Sequence, residues 1–535
     1  MDIPNTSLGA WIEKTAGQFP DRPAFYFQGR SWTFRELMEN GRRFAATLQS
    51  HGLRKGDVLA VHLVNCPQYL MALIAALQSG IVVTGVSPLL TSEEIAFQLS
   101  DTGARAVITL NDLFESRLAP IAPDLDALAL IIRTDPTDVA GGSDSAHALP
   151  QMGDKKVLRF SEMISGGSPL RPGPDVNPGD VAFIQYTGGT TGSPKGAMLT
   201  HANLAANIAQ LTERLALRNG EDTLLCPFPM FHIAGLLHAL KAMALSMTQI
   251  VVPDPRDMER ILHEWRQYRP TFVASVPALC LMFLQERGFR ELDFSALRTC
   301  MFGAAPFPAD KVMELEQVIG PGKAVSAYGM TETGPLQTVT PRGRADKTGS
   351  VGTPLPETRL KLMDLDSGKH EVPPGEEGEV AACGPQVMKG YLNRPVETRE
   401  ALRRHDDDLW MHTGDVGRLD DDGFLFIVDR IKDMINVGGY KVFSSEVEHK
   451  FYKHEAVQFC ALIGIPDLDR PGNEKVKLVV QKSDAFTGVP DDRLRQDLIG
   501  FARERMAPYK VPKVVEFVEP MPLTSVGKVD KKALR

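Results

Sequence analysis

The run Tyr186-Thr187-Gly188-Gly189-Thr190-Thr191-Gly192-Ser193-Pro194-Lys195-Gly196 decides how this chain is read. It places four glycines and four small hydroxyl residues between two strand-like stretches, residues 181–186 and 197–200. Glycine lets successive backbone N–H groups turn inward, the hydroxyls add donors, and Lys195 adds a cation, so the loop suits a polyphosphate. It is not a Walker A loop, because Gly196 follows Lys195 and no helix begins there. It is not the dinucleotide fingerprint either, since the G-x-G-x-x-G spacing is absent. By composition alone the run reads equally as an exposed Gly/Ser/Thr surface loop.

Outward from this loop, apolar strands alternate with amphipathic helices. Strands are expected at 58–64, 81–86 and 105–110, with helices at 68–78 and after Thr91, where Thr91-x-x-Glu94 makes a capping box. The rhythm resumes with strands at 224–226, 249–252, 271–275 and 298–302. Such alternation implies parallel sheets covered by helices. Residues 133–156 are polar, aperiodic and rich in Pro, Gly, Ser and Asp, and read as an exposed loop; 165–180 is a second loose stretch. After about residue 345, short strands and Gly/Pro turns dominate to 430. A compact piece follows, with a helix capped by Ser445-x-x-Glu448, strands at 458–463, 475–481 and 514–517, and a helix at 491–506. The expected class is α/β: a large N-terminal domain (1–430) of doubly wound α/β subdomains plus a β-rich part (about 345–430), then a small mobile α+β domain (431–535).

Composition narrows the function classes. The 535 residues are 43% apolar and 24% charged, which suits a multi-domain globular chain. Lys and Arg number 59 against 67 Asp and Glu, a net charge of −8, and this argues against a general nucleic-acid binder. Six scattered cysteines form no C-x-x-C pair and no disulfide framework, so a reducing, cytoplasmic setting is expected. The start of the chain lacks a basic n-region and an apolar h-region, so no signal peptide is expected. The most apolar stretch, 69–86, is broken by Gln78, Ser79 and Gly80, so no transmembrane segment is expected; peripheral membrane contact stays open.

The Gly-rich run resembles the phosphate loop of the AMP-forming adenylating enzymes: acyl-CoA synthetases, luciferases and peptide-synthetase adenylation domains. Further segments resemble that family in order. Tyr328-Gly329-Met330-Thr331-Glu332-Thr333 is similar to its nucleotide and magnesium segment, and Thr413-Gly414-Asp415 to its ribose segment. Asp429-Arg430-Ile431-Lys432-Asp433 with Gly438-Gly439-Tyr440 resembles its hinge and thiol tunnel. Pro522-Leu523-Thr524 with Gly527-Lys528-Val529 resembles its catalytic lysine loop.

This resemblance implies a role for each position. Lys528 would stabilise charge on the α-phosphate and on the attacking carboxylate. On charge pattern alone it reads as a solvated lysine beside Lys531 and Lys532. Glu332 would hold Mg²⁺, and Thr331 would donate to a phosphate. Nucleotide contacts would come from Thr187, Gly188, Gly189, Thr190, Thr191, Gly192 and Lys195, from Gly303, Ala304 and Ala305, and from Tyr328 and Gly329. Asp415 and Arg430 would hold the ribose, Lys432 would be the hinge, and Gly438, Gly439 and Tyr440 would line the coenzyme A tunnel. His232 would approach the acyl carboxylate, with Ile233, Ala234, Gly235, Val273, Ser275 and Gly303 walling the acyl pocket. As a lone residue, His232 reads equally as a satisfied core histidine.

The chemistry implied is ATP-dependent activation of a carboxylic acid as an acyl adenylate, release of pyrophosphate and transfer to coenzyme A. The expected pocket walls carry no charge, so no partner for an α-ammonium is present, and a medium- to long-chain fatty acid is favoured. Aryl and short or branched acids remain as alternatives. So do a carrier-protein phosphopantetheine as acceptor and a non-catalytic nucleotide sensor on the same fold. Chain length of the acid and oligomeric state, monomer or homodimer, stay open.

Overall fold

In the computed structural model the described residues are 3–140, 149–165, 175–187, 194–438, 440–467, 470, 473–523 and 529–535. The chain divides into two compact units. One comprises 1–348, 352–359 and 382–411; the other comprises 349–351, 360–381 and 412–535.

The first unit is built on two large sheets. In chain order its strands are β1 (Pro23–Phe27), β2 (Arg30–Thr33), β3 (Val58–His62), β4 (Val82–Gly85), β5 (Ala106–Leu110), β6 (Leu130–Thr134), β7 (Lys156–Arg159), β8 (Val181–Thr187), β9 (Lys195–Thr200), β10 (Thr223–Leu225), β11 (Thr248–Ile250), β12 (Phe272–Ser275), β13 (Thr299–Gly303), β14 (Ala324–Gly329), β15 (Leu336–Val339) and β16 (Thr353–Pro354). The first sheet runs β16-β15-β14-β13-β12-β10-β11-β1-β2, parallel from β14 to β1 and antiparallel at both edges. The second runs β9-β8-β4-β3-β5-β6-β7, with the short strand Gly390–Tyr391 added outside β9. The alternation read from the sequence therefore holds, and the expected capping box forms: Thr91 Oγ1 accepts from Glu94 N while the Glu94 carboxylate accepts from Thr91 N. Helices Pro67–Ser79 and Ile233–Ala244 are buried along nearly their whole length because both contribute to one shared core.

Two local expectations are corrected. Arg133 and Thr134 belong to β6, and Lys156 to β7, rather than to a loop. The Arg133 guanidinium is buried because Asn111 Oδ1 (3.0 Å) and Glu115 Oε1 (2.9 Å) accept from it and it lies over the Phe114 ring. Residues 141–148 of that stretch lie outside the described residues. The helix expected to be capped by Ser445 begins instead at Ser444, with Phe443 as its uncapped N-cap. The Ser444 and Ser445 hydroxyls donate to the buried Asp429 carboxylate, and Glu448 accepts from Leu462 N at 2.6 Å, so neither half of a capping box is free to close.

The second unit contains an antiparallel pair, residues 412–419 of the strand Asp408–Leu419 against Leu425–Arg430. It also contains a three-stranded sheet of Val457–Pro466, Glu474–Lys482 and Val514–Phe517. Helices Ser444–Phe451 and Asp491–Arg505 bury Val447, Phe451, Leu494 and Leu498 against that sheet.

Candidate active site

In the first unit the expected nucleotide residues gather at the carboxyl ends of parallel strands, where open α/β sheets bind ligands. β13 ends at Gly303 and β14 at Gly329, and the two strands pair with Gly303 opposite Ala327. Space here is short: a Cβ on Gly303 would lie 2.5 Å from Ala327 O, and one on Gly329 would lie 1.9 Å from Pro335 O. Ala304, directly after β13, adopts φ 69°, a left-handed conformation unusual for alanine. Tyr328, half-buried, closes β14, and a single 3-10 turn, Thr331–Thr333, then carries Thr331 and Glu332.

The β8–β9 hairpin brings up the cation. Thr187 pairs with Lys195 and Tyr186 with Gly196, so Lys195 sits at the base of the Gly-rich connection. Gly188, Gly189, Thr190, Thr191 and Gly192 lie outside the described residues. Tyr391 joins the two parts. Its strand pairs with β9, Tyr391 opposite Ala197, and its ring lies 5.4 Å from Lys195 Nζ. Its hydroxyl donates to Glu332 Oε1 at 2.6 Å, while Met388 N donates to Glu332 O at 2.8 Å. Glu332 is only 4% exposed and Tyr391 8%. Burial and the adjacent carboxylate push the Tyr391 phenol up, so it remains a protonated donor. Among the described residues no three His, Cys, Asp or Glu side chains cluster as a metal cage. A single buried carboxylate suits Mg²⁺, which is usually held by one or two carboxylates together with phosphate and water oxygens.

His232 is half-buried and forms the N-cap of helix Ile233–Ala244, its Nδ1 accepting from Ala234 N at 3.3 Å. Asn65, a residue the sequence did not single out, fixes the segment before it. Its side-chain amide donates to Phe228 O (3.0 Å) and Val252 O (3.1 Å), and its Oδ1 accepts from Met230 N (2.7 Å). The expected acyl walls do not all share one space. Ile233, Ala274 and Phe272 pack in the core shared with the helix, whereas Val273 packs in a separate cluster with Leu225, Ile250 and Phe302. Successive residues of β12 point to opposite faces, so Val273 and Ser275 face away from Ala274. Gly235 is a close-approach position: a Cβ there would lie 2.2 Å from Pro229 O. Small residues border a water-sized cavity of about 10 Å³ beside it, lined by Cys226, Phe228, Met230, Gly235, Ala239 and Gln249, among others.

In the second unit Asp415 and Arg430 pair across their strands, with Arg430 Nε 2.8 Å from Asp415 Oδ1. The strand just before Asp415 is held by Glu379, whose carboxylate meets His412 Nδ1 at 2.8 Å and accepts from Gly414 N at 3.0 Å. Lys432 lies in the 3-10 turn Ile431–Asp433; burial, followed by the Arg430 charge, lowers its ammonium to about 8. Arg535 donates to Asp433 Oδ1 and to Lys432 O, tying the chain end to this turn. Gly438 adopts φ 61° in the hairpin of Ile435–Val437 and Tyr440–Val442, and the exposed Tyr440 ring stacks on Tyr509 at 4.7 Å. Gly439 and Lys528 lie outside the described residues.

Residues 12–392 match the family model for the AMP-binding enzyme, and 446–528 match the AMP-binding enzyme C-terminal domain. The chain is 34% identical to a long-chain-fatty-acid–CoA ligase of Bacillus subtilis (strain 168), over 100% of this chain and 95% of that one. It is 38% identical to the long-chain-fatty-acid–CoA ligase of Salmonella typhimurium, over 99% and 94%. Among solved structures it resembles the anthranilate CoA ligase AuaEII in complex with anthranoyl-AMP, at 25% identity and a TM-score of 0.85, covering 100% of this chain and 98% of that one.

Proposed function

The chain belongs to the AMP-binding enzyme family, and from that premise we propose that it joins a fatty acid to coenzyme A through an acyl adenylate, releasing pyrophosphate. The observation that carries this reading is the buried Tyr391–Glu332 contact with the half-buried Lys195 over the Tyr391 ring, at the base of the Gly-rich hairpin. Tyr391 links a cation at its ring face to a carboxylate at its hydroxyl, and Mg·ATP phosphates call for both kinds of charge. Glu332 would hold Mg²⁺, which supplies charge neutralisation on the phosphates when bound. Thr331 donates to a phosphate, Tyr328 offers its ring to adenine, and Asp415 accepts from the ribose hydroxyls with Arg430 beside it. His232, held at the helix N-terminus by its own cap, orients the acid's carboxylate.

The resemblance to two long-chain-fatty-acid ligases supports an alkyl acid. The likeness to an anthranilate ligase keeps an aryl acid as the second reading, since Phe228 and Phe272 offer flat faces along the same helix. A body of residues 1–430 and a lid of 431–535 that pivots at Lys432 serve the two half-reactions in turn. The six cysteines are unpaired, which fits a reducing cytoplasmic compartment, and no helix among the described residues is long and apolar enough to cross a membrane.

The test is to incubate the protein with ATP, Mg²⁺ and palmitate, with and without coenzyme A. AMP and pyrophosphate should form, and acyl-CoA should accumulate only when coenzyme A is present. Pyrophosphate release without acyl-CoA would indicate another acceptor. ADP formation, or no nucleotide turnover with any alkyl or aryl acid, would end the proposal.

A further inference from the structure

Helix Ile233–Ala244 carries two polar side chains deep in the core, His238 and Lys241. Lys241 is 0% exposed, and its Nζ has no hydrogen-bond partner among the described residues. The ammonium instead lies over the Phe272 ring, 3.5 Å from the centroid. His238, 4% exposed, stacks at 6.4 Å on Phe228 and sits 5.8 Å from Phe272, and its Nδ1 also lacks a partner among those residues. The nearby acidic group, Asp222, pairs with Arg298 and makes no ion pair with Lys241 among the described residues: Thr271 Oγ1 and Arg298 both donate to its Oδ1, and its Oδ2 has no hydrogen-bond partner among those residues. A buried cation without a paired anion is costly, so a chain keeps one only where something compensates it.

Its position suggests what does. Ala234, His238 and Lys241 are spaced i, i+4, i+7 and form one stripe of the helix. The stripe begins beside His232 and passes under Phe272, whose face of β12 also bears Ala274. Seven residues at 1.5 Å each make the stripe about 10 Å long. Phe228, which stacks on His238, lines the cavity beside Gly235, as does Cys226.

We propose that Lys241 and His238 form the far end of the acid slot and take an oxygen acceptor at the distal end of the substrate, so that the preferred substrates are carboxylic acids carrying a second carboxylate or hydroxyl rather than plain alkyl acids. This rests on the reading that the acid lies along this helix from His232.

The experiment compares octanoic to dodecanoic acids with their α,ω-dicarboxylic and ω-hydroxy counterparts, scored as kcat/KM for pyrophosphate release by the wild type and by Lys241→Met. Methionine keeps the length and removes the charge. The wild type should favour acids with a distal oxygen, and Lys241→Met should shift the ratio toward plain acids by about tenfold or more. His238→Leu should shift it in the same direction. Protection of the wild type against thermal unfolding by a dicarboxylate without ATP, lost in Lys241→Met, reads binding apart from chemistry. If plain acids are used and the ratio is unchanged in Lys241→Met, this inference fails while the proposed function stands. If the wild type activates no acid at all, the proposed function itself has failed.

Discussion

Tyr391→Phe removes one oxygen from the centre of the site and leaves the rest of the ring. The hydroxyl is a 2.6 Å donor to a carboxylate, and both partners are almost wholly buried. A hydrogen bond to a charged group is worth about 1.5–3 kcal/mol, and every 1.36 kcal/mol is tenfold in rate. The variant should therefore lose roughly 10- to 150-fold in kcat/KM for Mg·ATP in the adenylation step. The phenyl face beneath Lys195 persists, so ATP binding through that cation should be spared; Tyr391→Leu removes it too and should add a further ATP-binding loss of about 0.5–2 kcal/mol. The assay is single-turnover formation of acyl-AMP across a magnesium series, beside thioester formation from supplied acyl-AMP and coenzyme A. Adenylation should fall and the magnesium requirement rise, while the thioester step stays near wild type. Adenylation within threefold of wild type at limiting magnesium, or an equal loss in both half-reactions, would refute the role given to this contact.

Lys241→Met should stabilise the fold in a pH-dependent way. Burial lowers the ammonium from 10.5 to about 7, so between those values the unfolded chain holds more protons and wild-type stability rises with pH. The penalty is complete below pH 7, on the order of 4–5 kcal/mol, and shrinks toward pH 10. Urea unfolding should show the variant's advantage large at pH 6 and small at pH 10; equal advantages at both would show that the lysine is not desolvated. Ala304→Gly should raise stability by about 1 kcal/mol by relieving the left-handed alanine, read as a higher urea midpoint, and a lower midpoint would contradict the strain assigned there. Lys528→Ala should abolish acyl-AMP formation yet convert supplied acyl-AMP, and Gly439→Leu should do the reverse; proportional loss of both half-reactions in both variants would contradict separate roles for these residues.

What the sequence made legible was local. The β3–β5 alternation, the Thr91–Glu94 box and the hairpin flanking the Gly-rich run all depend on neighbouring residues, and all three form. The Asp415–Arg430 pair was also named, and its strands place the two residues in direct register. Long-range contacts were not legible. Nothing near Glu332 in the chain indicates that Tyr391 would bond it, because the contact depends on the edge strand that Gly390–Tyr391 adds to β9. Gly235 reads as room for an acyl chain, yet its missing side chain is required by Pro229 O. The resemblance named Val273 and Ser275 as acyl walls together with Ile233, but strand alternation turns them away from Phe272 and Ala274, which share the core of Ile233.

The place of β1 in the first sheet has a bearing on how this chain is made. β1 pairs in parallel with β11, Phe25 opposite Gln249, so the two registered residues lie about 220 positions apart. At a synthesis rate of roughly 5–20 residues per second, the β1–β2 hairpin leaves the ribosome about 10–45 s before its partner exists. Through that interval Phe25, Phe27 and Trp32, all buried at the end, have an open strand edge beside them. The nascent N-terminal segment is thus the part of the chain most dependent on chaperone cover, and slowing translation between residues 34 and 248 should lower soluble yield more than slowing it afterwards.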